Sequence, residues 1–332
     1  MAKARPRIGI VGFGRMAEIH HLDGLRKAGF DVPVVLDITP ARRDAALRAG
    51  VGLACSDMDL FLETGLQAAL ITTHSSVRAE VALPLIEAGL HLLIDKPLAV
   101  TAPEATAICV AAGRAGVLVS VYHNRRWDAD AILVRRLVQE GVLGELIHIE
   151  NRSFHDGPAV GFGTPDFHQR WRIEASMGGG TLLDFGPHWL DQILSITGER
   201  DKVFSVLGDV RHVVFGDADD HFSITMIFES GLRALAGKSD FCLLGPECKW
   251  FLLGAKGSAV YRNNQLRAKS RDGTDHTLTD AGPMPDLHRN FLEAIEGRAE
   301  LLVTARQSLR TCEIIDAARE SSRTRRSLDT NI

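Results

Sequence analysis

Residues 8–17 run from a short β-branched stretch, Ile8-Gly9-Ile10-Val11, straight into Gly12-Phe13-Gly14-Arg15-Met16-Ala17 and then into a helical pattern. The G-x-G-x-x-A spacing needs a strand, a tight turn and a helix to have a use. The first glycine makes the turn, the second leaves the backbone open to a pyrophosphate, and the small third residue lets helix pack on strand. The helix start then presents free N–H groups and a positive dipole end to the phosphates. Such a motif is weak alone, but here Asp37 closes the second apolar run, where a carboxylate would meet the hydroxyls of an adenosine ribose. These residues predict a bound dinucleotide touching Gly12, Phe13, Gly14, Arg15, Met16, Ala17 and Asp37. An acid at 37 favours NAD over NADP, because it repels a 2′-phosphate. Arg42 and Arg43, on the following helix, either reach a phosphate or lie on a solvated face; NADP is therefore the alternative cofactor.

The strand–helix alternation continues. Apolar runs at 8–11, 32–36, 68–71, 91–94 and 117–121 alternate with alanine-rich stretches such as 41–49, 79–88 and 102–115. This spacing predicts βαβ units and a parallel sheet covered on both faces. Beyond residue 122 the pattern changes. Runs at 145–155, 202–213, 221–229, 232–242 and 247–262 read as strands of an open, mostly antiparallel sheet. In the third, Phe222, Ile224, Met226 and Phe228 alternate with His221, Ser223, Thr225 and Ile227. Helices are expected at 181–197, 287–297 and 304–321. The fold class is thus α/β: an N-terminal Rossmann domain (1–122) and a C-terminal α/β domain (123–332), with the closing helices packing back on the first. A chain of 332 residues is long enough for two domains at ~150 residues each. The free apolar sheet face predicts a homo-oligomer, dimer or tetramer.

Composition removes several classes of partner. Lys and Arg total 38 against 42 Asp and Glu, for a net charge of −4. No basic field exists to hold nucleic acid or an anionic membrane surface. No apolar run approaches the ~18 residues of a membrane span, and the stretch after the basic start is too short for a secretion signal. The five cysteines are scattered without a C-x-x-C pair, as expected for a reduced, cytoplasmic protein without structural zinc.

Three stretches carry a resemblance. They are Gly9-Ile10-Val11-Gly12-Phe13-Gly14, Ile94-Asp95-Lys96-Pro97-Leu98-Ala99, and the run Gly178-Gly179-Gly180 to Asp184-Phe185-Gly186-Pro187-His188-Trp189-Leu190-Asp191. Their patterns and order resemble the glucose–fructose oxidoreductase / inositol dehydrogenase / rhizopine catabolism (Gfo/Idh/MocA) family over nearly the whole chain. The segment Tyr122-His123-Asn124-Arg125-Arg126-Trp127-Asp128 is similar to the subgroup holding scyllo-inositol dehydrogenases. The resemblance implies hydride transfer between NAD(P) and a secondary alcohol of a sugar, cyclitol or related polyol. It extends the cofactor contacts to Thr72, Thr73, His74, Asp95, Lys96, Pro97 and Asn124. The chain departs from the family at 73–78, where Ser75 and Arg78 replace an asparagine and a histidine, and at Asp95, where glutamate is commoner.

The residues themselves admit this chemistry. Lys96 follows the fifth strand, and ligands bind at the carboxyl ends of such strands. There an ammonium can stabilise alkoxide charge. Asp184, His188 and Asp191 are spaced to share one face of an apolar helix, which Pro187 is expected to kink. His188 can accept a hydroxyl proton near neutral pH, with Asp184 orienting its ring or binding a neighbouring hydroxyl. For Asp191 a buried polar tie between domains is the expected role. Lys96, Asp184 and His188 are the catalytic candidates. Asn124, Arg126, His155 and Trp171 join them as substrate contacts, and Asn151 and Arg170 fall in the same segments. The arginines flanking Trp171 either bind an anion or make surface ion pairs. The glycine-rich loop 156–170 is expected to border the cleft. A metal is not expected, since no third strong ligand accompanies the Asp184/His188 pair. Two other readings keep the fold: a nucleotide-bound regulatory or sensor protein, and a redox-neutral enzyme retaining its cofactor.

Overall fold

The computed structural model describes residues 5–158, 160 and 169–332. Six parallel strands form the first sheet: β1 (Ile8–Val11), β2 (Val34–Leu36), β3 (Leu53–Cys55), β4 (Ala68–Ile71), β5 (His91–Asp95) and β6 (Val119–Tyr122). Their order, β3-β2-β1-β4-β5-β6, is the dinucleotide-binding order, reversing direction between β1 and β4. The helices α1 (Leu22–Ala28), α2 (Pro40–Arg48), α3 (Met58–Leu62), α4 (Arg78–Glu87) and α5 (Ala102–Ala115) connect them. Strands β1 and β4 are buried along their whole length, because helices cover both faces and leave no solvent side to alternate toward.

The second sheet has nine strands, in the order β14-β13-β12-β11-β7-β10-β9-β8-β15. They are β7 (Leu146–Phe154), β8 (Val203–Arg211), β9 (His221–Phe228), β10 (Arg233–Ser239), β11 (Trp250–Gly254), β12 (Gly257–Arg262), β13 (Gln265–Ser270), β14 (Asp275–Leu278) and β15 (Leu328–Asp329). Only β7 and β10 pair in parallel. The alternation in β9 appears as a buried face and a half-buried one. Residues 247–262, expected as one strand, fold as the β11–β12 hairpin, since the Gly254–Gly257 turn reverses the chain. The short β3, β13, β14 and β15, two to six residues each, were not expected.

The inner face packs against α6 (Ala129–Gln139), α7 (Thr181–Thr197) and α9 (Ala305–Thr324), while α8 (Leu287–Ile295) lies against α1. Helix α7 runs through Pro187 without a break. Helix α9 touches both α5 and β8. Its Cys312 and Arg319 bond the carbonyls of Ala99 and Val100, and Asp316 accepts from the Ala102 N–H. The two sheets are thereby tied on either side of the strand ends that carry Asp95 and Lys96.

Candidate active site

The glycine loop has the shape its sequence requires. Gly12 sits at φ +85, and a Cβ there would come within 2.9 Å of the Thr73 nitrogen. At Gly14 a Cβ would meet nothing within 4 Å, leaving the open approach that a pyrophosphate needs. The following helix begins with a π-helical turn, Ala17–His21, a rare form often found at functional sites. Asp37 accepts the N–H groups of Phe13 at 2.7 Å and Thr39 at 2.8 Å. It clamps the loop to the end of β2 while standing where a ribose hydroxyl would arrive. These features fit a dinucleotide.

Two cofactor expectations are corrected. The Phe13 ring is fully buried in the core, so only its backbone belongs to the loop. Arg42 is also buried: its Nε donates to the Phe13 carbonyl, its Nη2 pairs with Glu18 at 2.5 Å, and its guanidinium lies over the Phe13 ring. A side chain so committed is not available to a phosphate. Arg43 instead donates to the Asp37 carbonyl and stands beside the ribose end.

A cleft of about 430 Å³ lies between the sheets. From the first sheet it is lined by Gly14, Arg15, Met16, Thr72, Thr73, His74, Asp95, Lys96 and Pro97, and from the connecting segment by Asn124. Trp171, Asp184 and His188 close the other side. The family departure at Arg78 has a structural use. Its guanidinium donates to the carbonyls of Thr73, Asp95 and Pro97, bracing β4 against β5 where a histidine is too short to span.

Lys96 and α7 meet across this cleft. Lys96 Nζ donates to the Asp184 carbonyl at 2.5 Å and to its carboxylate at 2.6 Å, and Arg172 Nε lies 3.3 Å from the other carboxylate oxygen. Burial alone would raise the Asp184 carboxyl; Lys96 and Arg172 outweigh it and hold it down at about 2. The carboxylate therefore aims the lysine, which corrects the expectation that it orients His188. The His188 Nδ1 is buried without a hydrogen-bond partner among the described residues, and its ring meets His123 edge-on. Burial first, then the charges of Lys96 and Arg125, push His188 well below 6.5. It is neutral at neutral pH, further from its titration than its type suggests.

The triple glycine builds this corner. A Cβ on Gly179 would lie 2.6–2.7 Å from the carbonyl oxygens of Trp171, Arg172 and Glu174, and one on Gly180 would strike the Asp219 carboxylate. Without side chains, the three glycines, with Gly178 and Gly180 at positive φ, pass under the 3-10 turn Trp171–Ile173, and Asp219 caps α7 by accepting the Leu182 N–H at 2.6 Å. Arg172 is thereby brought over Asp184.

Other expected contacts fall elsewhere. Arg126 turns away from the cleft into a buried pair with Asp191, at 2.5 and 2.9 Å, and also bonds the Leu302 carbonyl and Gln307. It shares the tying role expected of Asp191. His155 faces Lys238 and Asp240 and does not line the cleft. Asn151 is buried on the inner sheet face against Gln192, and Arg170 is exposed. The expectation for loop 156–170 falls largely on residues 159 and 161–168, outside the described residues.

Sequence reasoning missed Arg125, Tyr122 and Phe185, which line the cleft. For Arg125 no signal distinguished it from Arg126. The 3-10 turn Asn124–Trp127 sends the adjacent arginines in different directions. Among the described residues no group of three or more His, Cys, Asp or Glu is placed to hold a metal ion, and no helix is long and apolar enough to cross a membrane.

Comparison with known proteins agrees with this architecture. Residues 6–123 match the oxidoreductase family with an NAD-binding Rossmann fold, and residues 132–260 match the GFO/IDH/MocA C-terminal domain. The chain is 31% identical to 1,5-anhydro-D-fructose reductase of Ensifer adhaerens, over 77% of this chain and 76% of that one. It is 26% identical to scyllo-inositol 2-dehydrogenase (NADP(+)) IolW of Bacillus subtilis, over 97% and 95%. An NAD-binding protein from Listeria innocua superposes with a TM-score of 0.86 at 25% identity, covering 98% of this chain and 97% of the other. The chain belongs to the GFO/IDH/MocA family and is an NAD-binding oxidoreductase of the dehydrogenase type.

Proposed function

We propose that the protein interconverts a secondary alcohol and ketone of a sugar, cyclitol or related polyol, with Lys96, Asp184 and His188 as its catalytic group. The observation that carries this reading is the meeting of Lys96, from the end of β5, with Asp184 and His188 of α7 in a cleft that begins at the open glycine loop. NAD, when bound, supplies the hydride acceptor. Lys96 holds the oxygen of the reacting carbinol and stabilises its developing negative charge. Asp184 fixes the direction of that ammonium. His188, neutral in its buried setting, accepts the hydroxyl proton. The polyhydroxylated substrates named for the two relatives support the substrate class.

The same reading assigns residues 1–122 to cofactor binding and 123–332 to the substrate. It places a homo-oligomer contact on the outer face of the second sheet, where register aligns Leu207, Ile227, Leu235, Phe251, Leu253 and Val260. Five free cysteines support a cytoplasmic setting. The test is a panel of inositols, aldoses, uronates and amino sugars, followed by the absorbance of reduced nicotinamide. Turnover of at least one class is expected. Folded protein that binds NAD yet turns over none of them, with NAD or NADP, refutes the assignment.

A further inference from the structure

We propose that the substrate carries a carboxylate near the reacting carbinol and that Arg172, assisted by Arg125, receives it, so that the enzyme acts on a sugar acid. This rests on the dehydrogenase reading above and narrows its substrate class.

Arg172 is held unusually well for a residue in a short 3-10 turn. Its guanidinium carbon stands 4.5 Å from the centre of the Trp171 ring, and its Nε faces Asp184 at 3.3 Å. The side chain is 19% exposed and lines the cleft. Stacked on one face and pinned at Nε, the group has left its two terminal nitrogens, which have no partner among the described residues. That edge is a pair of parallel donors, the geometry that matches a planar carboxylate. The same fork also fits two oxygens of a phosphate ester, so the experiment carries a phosphate control.

The charges of the cleft agree. Lys96 and Arg172 share the single carboxylate of Asp184. Arg125, also on the cleft wall, pairs with Asp128 at 3.3 Å and lies over the Phe185 and Trp189 rings. Behind the wall, Lys238 stands 4.3 Å over the Phe185 ring and is matched by its own acid, Asp240. With Arg15, Arg78, Lys96, Arg125 and Arg172 lining the cleft against the carboxylates of Asp95 and Asp184, cations are in surplus, and a neutral polyol would displace water from them without compensating it. Because Asp184 bridges Lys96 and Arg172, the acid would sit a few carbons from the oxygen held by Lys96.

The experiment compares neutral and acidic twins, D-glucose with D-glucuronate and D-galactose with D-galacturonate, on the full chain with NAD. D-glucose 6-phosphate is the phosphate control, and tryptophan fluorescence of the NADH-loaded protein reads binding directly. The acid twin is expected to exceed its neutral partner in kcat/KM by about tenfold or more, and Arg172→Gln to bring the ratio within about twofold, chiefly through KM. Arg172→Lys, which keeps the charge but loses the fork, should fall between. Uronates should quench the fluorescence at concentrations where the sugars do not. Equal efficiency for the twins, preference for the phosphate ester, or an acid preference surviving in a folded Arg172→Gln protein overturns the proposal. Turnover of neutral twins alone refutes the acid site and leaves the dehydrogenase reading standing. If no sugar is turned over, that reading fails, and the uronate quench alone then upholds or overturns the anion site.

Discussion

Replacing Lys96 by methionine keeps the length of the side chain and removes its charge. Asp184 is then left with Arg172 at 3.3 Å as its closest cation. Holding Asp184 at about 2 instead of 3.8 corresponds to about 2 kcal/mol of net support, left after its cations have offset the cost of its burial. With Arg172 and Lys238 still acting on the carboxylate, losing Lys96 is expected to cost about that net amount. For a chain of 332 residues the unfolding entropy converts it to a Tm drop of ~3 °C. The effect on turnover should be far larger, a fall in kcat of ~10²–10⁴, because the lysine acts on charge that develops only in the transition state. Arg126→Met provides the contrast. Its removal strands Asp191, which is 2% exposed, and breaking such a buried pair typically costs ~3–5 kcal/mol. That variant should melt lower than Lys96→Met while keeping most of its kcat per folded molecule. Both quantities are measurable on one preparation, by nicotinamide absorbance and by thermal melting. A Lys96→Met protein within tenfold of the wild-type kcat, or one whose stability loss equals that of Arg126→Met, refutes the catalytic role.

Asp37→Ser should raise the NADP to NAD ratio of kcat/KM by about tenfold or more, since a repelling carboxylate is lost beside Arg43; an unchanged ratio counts against the ribose contact. Acid should destabilise the fold through buried histidines. His123 and His288 are held by burial at about 4, below their ordinary 6.5, so the unfolded chain binds more protons between these values. Their contribution is complete above pH 6.5 and is lost as pH falls toward 4, by up to ~3 kcal/mol each. Asp219, raised by burial to about 6, opposes part of this, whereas Asp184 loses its contribution only below 3.8. The slope of Tm against pH should therefore flatten in His123→Asn, and an unaltered slope would assign the acid sensitivity elsewhere.

Local periodicity and spacing were enough to predict the parallel sheet, the glycine loop and α7, while the family resemblance was needed to single out Lys96, Asp184 and His188 as candidates. Those features depend on contacts between near neighbours in the chain: a turn that needs glycine, a buried strand that needs β-branched residues, a helical face repeating at three and four. What each side chain faces was another matter. Adjacent arginines at 125 and 126 have the same chemistry and different destinations, one in the cleft and one against Asp191, because both sit in a 3-10 turn, which points successive side chains about a third of a turn apart. Arg42, read as reaching a phosphate or lying on a solvated face, is instead taken up by the Phe13 carbonyl and Glu18. Asp184 was read as orienting the histidine on its own helix or binding a neighbouring hydroxyl, yet it pairs with a lysine 88 positions away. Ion pairing is decided by which elements the fold brings together, and the energy of a buried charge depends on that distant partner. The sequence determined which groups the protein has for its chemistry; docking of α7 and the Trp171 turn against the end of β5 decided which of them act together.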